Sequence, residues 1–221
     1  MSGSVKPQAT APKNVACGGS QPPQAGKPKP QFDGPPDPSK VLESGTTYTA
    51  TIETSCGSFD VALDSEHAPK AVASFVFLAD KGFFDGLTFH RIVDGFMFQG
   101  GDPLGTGTGG PGYQFPIETD PSVTFGKPGV LAMANAGPGT NGSQWFVTLA
   151  PDTNLNPSSN GSYTIFGHVT DGMATVDKIG KVPVTTPPGG QEKSSPTEAV
   201  YIDKVMIEKK PAPKPSPSAG G

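Results

Sequence analysis

The stretch from Phe89 to Asp102 constrains the fold more than any other part of the sequence. Its first half alternates large apolar residues with a single cation, Arg91, as expected for a strand whose successive side chains point to opposite faces. Its second half has the same alternation and places Phe96 and Met97 on opposite faces. Asp94-Gly95 between the two halves is a strong hairpin-turn signal. The stretch therefore predicts a β-hairpin that presents one guanidinium beside an aromatic and thioether surface.

The remaining elements are predicted from periodicity and turn signals. Residues 68–82 and 171–180 have apolar side chains at helical spacing, with Pro69 suited to a first turn and Gly82 to a helix end. Alternating, β-branched segments predict further strands at 48–54, 58–63, 130–135, 143–149, 163–169 and 200–207. About eight strands with mostly short links favour a mainly β fold. We expect a closed eight-stranded antiparallel barrel capped by two α-helices.

The two ends of the chain differ from its middle in composition. Residues 1–45 and 210–221 contain 13 of the 26 prolines, and aliphatic residues are scarce there. Such segments bury too little apolar surface to offset the entropy of ordering. We predict a disordered Pro/Lys/Gln-rich spacer at 1–45, one folded domain at 46–209 and a disordered Pro/Ser-rich tail at 210–221. A spacer of this kind favours an extracytoplasmic location, exported or anchored by a segment absent here, with the cytoplasm as the alternative.

Composition also excludes several classes of function. The net charge of −4 and the isoelectric point near 5.3 argue against a nucleic-acid groove, and no apolar run is long enough to span a membrane. The three histidines are scattered and no Cys-x-x-Cys is present, so no metal site is predicted. Cys17 and Cys56 lie 39 positions apart. A disulfide in an oxidising compartment and two unrelated thiols both remain open.

The segment Gly105–Gly110 matches the dinucleotide-binding pattern G-x-G-x-x-G. Pro111-Gly112 directly after it cannot start the helix which that pattern requires, so a mobile glycine loop bordering a groove is the better interpretation. Ser143 does not lie in a nucleophile elbow. What remains is a neutral, largely apolar surface with one arginine and a few amide side chains. Such a surface can bind, desolvate and polarise a ligand.

Over about residues 48–208 the sequence resembles a known family, the cyclophilin-type peptidyl-prolyl cis-trans isomerases. The resemblance rests on several long motifs in order, namely 89–92 (FHRI), 95–102 (GFMFQGGD), 107–110 (GTGG), 133–138 (MANAGP), 140–146 (TNGSQWF) and 166–167 (FG). It implies an eight-stranded barrel with a helix at each end and an active site on the outer face of the barrel.

The resemblance also implies roles for individual residues. Arg91 corresponds to the catalytic arginine, and Gln99 is expected to steady Arg91 and the substrate. The implied substrate-binding positions are the proline pocket of Phe96, Met97 and Phe146, the backbone-binding Ala134, Asn135 and Gln144, the neighbouring Gly107 and Ala136, and Leu155. No metal and no cofactor are implied.

The implied activity is isomerisation of X–Pro bonds in proline-containing polypeptides by a monomer that assists protein folding. Two alternative functions remain open. The same groove could serve a proline-peptide binding module or holdase with little turnover, and the composition of the Pro-rich ends fits a scaffold that recruits aromatic-lined domains. Asn154 replaces the tryptophan or histidine usual in the family, so the affinity for cyclosporin-type cyclic peptides is left open. Tyr163 replaces an expected histidine, and the loop at 156–162 is longer than usual.

Overall fold

This computed structural model describes residues 3–7, 9–156 and 163–212, so most of the predicted tail and loop residues 157–162 lie outside the described residues. The helices are α1 (Pro38–Val41), α2 (Pro69–Asp80) and α3 (Met173–Gly180). The strands are β1 (Gly3–Val5), β2 (Lys29–Gln31), β3 (Thr46–Thr54), β4 (Gly57–Leu63), β5 (Arg91–Val93), β6 (Met97–Gly100), β7 (Val130–Met133), β8 (Trp145–Thr148), β9 (Ile165–Asp171), β10 (Val184–Thr185), β11 (Ser195–Pro196) and β12 (Ile202–Pro211). In the described ranges no helix has the length and hydropathy needed to cross a bilayer.

Eight of these strands form one antiparallel sheet in the order β12-β3-β4-β9-β7-β8-β6-β5. The mainly β fold is confirmed, and the observed strand pairing is an open ladder that ends at β5 and β12, so it does not show the predicted closed barrel. Beyond this ladder, Thr88 and Tyr201 form a single antiparallel bridge, and Ile202 at the start of β12 donates its N–H to the carbonyl oxygen of Leu87 at 2.8 Å.

The predicted hairpin is present as β5 and β6. Arg91 lies opposite Gln99, and the chain reverses at Asp94-Gly95, where Gly95 has a φ of 70° that favours glycine. Because side chains alternate along each strand, Phe98 points into the main core while Met97 belongs to a separate apolar cluster on the other face. Phe96 precedes β6 and packs against that same cluster, so the expectation that it lies on the face opposite Met97 is wrong. The hairpin thus places Arg91 on the face that looks away from the main core.

The main core is built around Trp145, which is fully buried. Its ring lies 5.5 Å from that of Phe89, 6.0 Å from Phe75 and 6.3 Å from Phe84, in edge-to-face arrangements. Phe75 belongs to α2, which begins at Pro69 close to the predicted start. The predicted second helix is α3, and α1 is a further short helix that the sequence pattern did not indicate.

The described residues of the first 45 differ from the disordered spacer expected from their composition. We call residues 3–7 and 9–36 the N-terminal strap, because they lie along the surface of the domain. Ala16 is fully buried, and Phe32 packs its ring 4.9 Å from that of Phe77 on α2. The strap is also linked covalently to the domain, since Cys17 and Cys56 form a disulfide.

A buried lysine adds a third anchor to the strap. The Lys29 side chain is 4% exposed, and its ammonium donates to the carbonyl oxygens of Gly82, at 3.3 Å, and of Asp85. Burial lowers the pKa of Lys29, while the charge of Asp85 acts in the opposite direction. A few widely spaced anchors therefore hold a segment whose average composition is typical of disorder.

Candidate active site

A cavity of about 900 Å³ lies on the outer face of the sheet, above β6, β7 and β8. It brings together every residue that the sequence predicted for the site, namely Arg91, Phe96, Met97, Gln99, Gly107, Ala134, Asn135, Ala136, Gln144, Phe146 and Leu155. These residues come from five separate segments of the chain. The grouping therefore depends on the sheet, which aligns segments distant in sequence.

Arg91 supplies the charge of the site. Among the described residues that line the cavity it alone carries a formal charge, and its side chain is 36% exposed. Its Nη2 donates to Oε2 of Glu192 at 2.8 Å, and its Nη1 lies 3.9 Å from Sδ of Met97. The guanidinium thus lies between the apolar surface and a carboxylate from the loop that joins β10 and β11.

The apolar half of the cavity is centred on Phe146. Its ring stacks on Phe125, with centroids 6.0 Å apart, and meets the edge of Tyr163 at 5.5 Å. Met97 is opposite Thr148 in the next strand, and both Met97 and Phe146 are almost fully buried. This packing fixes the aromatic surface before any ligand binds, because the rings hold one another in place.

The polar half is organised by two glutamines. Gln99 donates through Nε2 to Oε1 of Gln144 at 2.8 Å. Gln144 in turn donates through Nε2 to the carbonyl oxygens of Gly107 at 3.0 Å and Gly109 at 2.9 Å. Gln99 was expected to steady Arg91, but among the described contacts its hydrogen bond goes to Gln144. Its amide is therefore oriented by the glycine loop, from across the cavity.

Asp102 holds the glycine loop of residues 105–110, which the sequence predicts to be mobile, through hydrogen bonds to its backbone. This carboxylate is 2% exposed and accepts hydrogen bonds from the backbone N–H groups of Leu104, Thr106 and Gly107. Gly101 joins it to β6 with a φ of 82°, and a Cβ there would collide with the carbonyl oxygen of Ser143. Asp102 therefore has a structural role here, because its carboxylate is occupied by backbone N–H groups of the loop.

His90 precedes Arg91 and is neutral at physiological pH. Burial lowers the pKa of His90, the charge of Asp102 opposes that change, and the charge of Arg91 reinforces it. The neighbouring guanidinium therefore remains the positive charge that a ligand in the cavity meets. With no activated nucleophile among the described lining residues, the site can bind a peptide, exclude water and donate hydrogen bonds.

The positions that depart from the family pattern lie at one end of the cavity. Leu155 and Tyr163 line it, whereas the exposed Asn154 turns its amide to the Asp152 carboxylate at 3.1 Å. The long loop predicted at 156–162 lies outside the described residues beyond Asn156. The end of the cavity is therefore closed by an aliphatic and a phenolic side chain.

Two residues of the site could not be found from the sequence. Gln31 of the N-terminal strap lines the cavity, and Glu192 pairs with Arg91 at its rim. Gln31 lies in a Lys-Pro-rich segment and Glu192 in a Gly-rich loop, and neither pattern indicates a contact with a residue 60 or more positions away. Only the tertiary structure reveals these two contributions.

Comparisons with known proteins agree with this geometry. The family described as "Cyclophilin type peptidyl-prolyl cis-trans isomerase/CLD" matches residues 49–207. The chain is 47% identical over 176 residues to the "Probable peptidyl-prolyl cis-trans isomerase A" of Mycobacterium leprae, a match that covers 72% of this chain and 91% of the relative. It is 45% identical over 178 residues to "Peptidyl-prolyl cis-trans isomerase A" of Mycobacterium tuberculosis, covering 73% and 92%.

Solved structures show the same relationship. A crystal structure of a cyclophilin type peptidyl-prolyl cis-trans isomerase from Cryptosporidium parvum superposes with a TM-score of 0.66 at 32% identity, covering 75% of this chain and 99% of that protein. The same protein in the presence of the dipeptide Ala-Pro superposes with a TM-score of 0.65 at 33% identity, covering 72% and 98%. The chain therefore belongs to the cyclophilin family and is a peptidyl-prolyl cis-trans isomerase.

Proposed function

We propose that Arg91 is the catalytic group and acts by stabilising the twisted X–Pro amide. Resonance keeps the amide flat and gives rotation a barrier of about 18–20 kcal/mol. Twisting localises the lone pair on the proline nitrogen, and a guanidinium directed at that nitrogen or at the displaced carbonyl binds the twisted state best. Binding the transition state better than either planar isomer is what lowers the barrier.

The apolar half of the cavity is proposed as the proline pocket. Phe96, Met97 and Phe146 would hold the pyrrolidine ring while the other side of the amide rotates. The rigid packing of Phe146 between two rings supports this role, since a firm grip on one side is required to twist the other. The low polarity of this surface also disfavours the charge-separated planar form of the amide.

The polar half is proposed to bind the peptide backbone. Ala134, Asn135 and Gln144 would contact it, Gly107 and Ala136 would border the next side chain, and Leu155 would close the pocket. Gln99 would then position Gln144 as well as the substrate. The Ala-Pro dipeptide present with the Cryptosporidium relative supports proline-containing peptides as the ligands of this cavity.

The observation that carries this assignment is the position of Arg91 as the single charged residue among the described lining of a cavity with an aromatic floor. The test is exchange between the cis and trans forms of a short Ala-Pro peptide, measured by NMR with and without the protein. Unaided exchange takes tens to hundreds of seconds. Catalytic amounts of the protein should bring it below a second. Binding without faster exchange would favour the binding-module alternative.

Glu192 is expected to restrain the activity of Arg91. Its carboxylate occupies Nη2 and partly cancels the field that the guanidinium directs at the substrate. Because the pair is partly exposed, with side chains 36% and 50% accessible, its coupling is about 0.5–1 kcal/mol. Glu192→Gln should therefore raise kcat/KM about two- to fivefold. Glu208→Gln on β12 makes the same charge change away from the cavity and should leave kcat/KM unchanged. A lower kcat/KM in Glu192→Gln would show that Glu192 instead positions Arg91.

Further proposals concern the bounds of the domain, its oligomeric state, the closure of its sheet, its location and a second class of ligand. We place the isomerase domain at 46–209, acting as a monomer, because a single chain supplies the described cavity residues, of which Gln31 of the strap is the one outside that range. We also propose that its sheet closes into a barrel, supported by the hydrogen bonds from Phe89 N to Val200 O at 3.0 Å and from Ile202 N to Leu87 O at 2.8 Å. The disulfide supports an extracytoplasmic location. Cyclosporin-type cyclic peptides are a further ligand class to test, since Asn154 lies outside the cavity lining and its amide donates to the Asp152 carboxylate.

A further inference from the structure

One wall of the polar half comes from outside the residues that the family comparison covers. Gln31, the last residue of β2, lines the cavity, whereas the family match begins at residue 49. The carbonyl oxygen of Gly110 in the glycine loop accepts a hydrogen bond from Gln31 Nε2 at 2.9 Å. The strap and the glycine loop therefore form this wall together.

The backbone beside Gln31 is fixed against the loop. Phe32 donates its N–H to the carbonyl oxygen of Pro111 at 2.8 Å. A Cβ at Gly112 would lie only 2.7 Å from the carbonyl oxygen of Phe32, so the two segments are in direct backbone contact. The ring of Phe32 is in turn buried against Phe77 of α2. Gln31 consequently has a defined position at the cavity.

The strap holds the other end of the glycine loop as well. Ala9 donates its N–H to the carbonyl oxygen of Leu104 at 3.0 Å, ahead of the loop. Between these two contacts the strap is joined to the domain by the Cys17–Cys56 disulfide and by the buried Lys29. The strap and Asp102, which accepts hydrogen bonds from the backbone of the loop, thus jointly determine the shape of the polar half.

The Oε1 atom of Gln31 indicates which chemical group of a ligand this side chain would bind. Its described hydrogen bonds, to Gly110 and Pro30, both use Nε2, and within the described chain its Oε1 accepts none. That oxygen is an acceptor at the edge of a cavity whose described lining has one charged residue, Arg91. A peptide N–H, or a hydroxyl or amide of a side chain next to the proline, is the chemical group that fits it.

We propose that Gln31 contacts the substrate residue flanking the proline and determines which flanking residues the enzyme prefers. The neutral amide favours uncharged polar or small residues there, because a charged one would be desolvated without a partner. The inference rests on the proposed function of the cavity. It makes the N-terminal strap part of the substrate groove, in place of the disordered spacer expected from its composition.

Charge exchange at position 31 tests the proposal. Gln31→Glu and Gln31→Lys are compared on Ala-Pro peptides in which one Lys or one Glu is scanned over the flanking positions. At one flanking position, Gln31→Glu should raise the kcat/KM ratio of the Lys peptide to the Glu peptide about threefold to fivefold. Gln31→Lys should lower that ratio by a similar factor. A purely structural role would change kcat/KM for all peptides alike and leave the ratio constant.

Matched controls exclude a general effect of net charge. Gln24→Glu and Gln24→Lys make the same changes in the same strap at an exposed position outside the cavity lining, and should leave every ratio at its wild-type value. Ratios unchanged in both Gln31 variants, or shifted equally in the Gln24 variants, would overturn the proposal while the isomerase assignment stands. A wild-type protein inactive on the uncharged Ala-Pro peptide would overturn the proposed function and this proposal with it.

Discussion

Replacing Arg91 by alanine should lower kcat/KM for a proline peptide about 10²- to 10³-fold, the usual effect of removing one preorganised donor from an active site. The loss should be mainly in kcat, because the guanidinium is proposed to bind the twisted amide more strongly than either planar form. Arg91→Lys should recover only part of the rate, since an ammonium keeps the charge but lacks the planar fork of donors. Exchange spectroscopy on a short Ala-Pro peptide measures both variants.

The fold should tolerate this change. Arg91 is partly exposed and its described partners are Glu192 and a weak contact to Met97, so the free energy of unfolding should fall by at most about 1 kcal/mol. Urea unfolding of Arg91→Ala, monitored by the fluorescence of Trp145, checks this. A stably folded Arg91→Ala protein with wild-type kcat would refute the assignment of the catalytic group.

Chemical modification gives an independent test of the same residue. Arg91 is the only arginine in the sequence, so an arginine-selective dicarbonyl reagent has a single guanidinium to modify. The activity lost should be proportional to the fraction of protein that carries the adduct, measured by mass spectrometry. A saturating proline peptide should slow the modification and the inactivation equally. Inactivation without modification of Arg91 would contradict the proposed mechanism.

Removing the disulfide should have the largest effect on stability. The Cys17–Cys56 bond closes a loop of 39 residues, and the chain-entropy estimate for such a loop is about 4 kcal/mol. The double variant Cys17→Ala/Cys56→Ala should therefore unfold at a lower urea concentration by roughly that free energy. Alanine is preferred to serine because Cys56 is buried and a hydroxyl there would be desolvated.

The reduced wild-type protein supplies the control. Reductant should move its unfolding midpoint towards that of the double variant and leave the double variant unchanged. Because Trp145 lies in the main core, its fluorescence reports unfolding of the domain itself. If the disulfide stabilised only the strap, reduction would leave the Trp145 transition in place while amide protection of Ala16 and Phe32 disappeared. Equal midpoints for all four samples would contradict the prediction.

The sequence predicted the hairpin and the two longer helices, α2 and α3, because their signals are local. Asp94-Gly95 specifies the turn that places Arg91 opposite Gln99, and Pro69 marks the start of α2. The site residues followed from motifs of the family, and one cavity now contains all of them. Their individual roles remain predictions, which the variants described above test.

The strap and the partner of Arg91 could not be predicted because they depend on contacts between distant segments. Lys29 is buried where the carbonyl oxygens of Gly82 and Asp85, in the segment after α2, accept hydrogen bonds from its ammonium group, and nothing in the Lys-Pro repeat indicates that contact. Phe32 is one of the few apolar residues of the strap, yet it meets a ring on α2. The average composition of the strap does not predict its order, because a few anchors, one of them covalent, offset the conformational entropy that the strap loses.

The pairing of β1 with β2 has a practical consequence for how the protein is handled. Gly3 lies opposite Gln31, so a polypeptide fused ahead of Gly3 would leave the domain beside the substrate groove. A proline-containing affinity tag attached there would have a high effective concentration at its own active site and would compete with added peptides. Assays of this isomerase should therefore use protein whose tag has been removed or is carried at the opposite terminus.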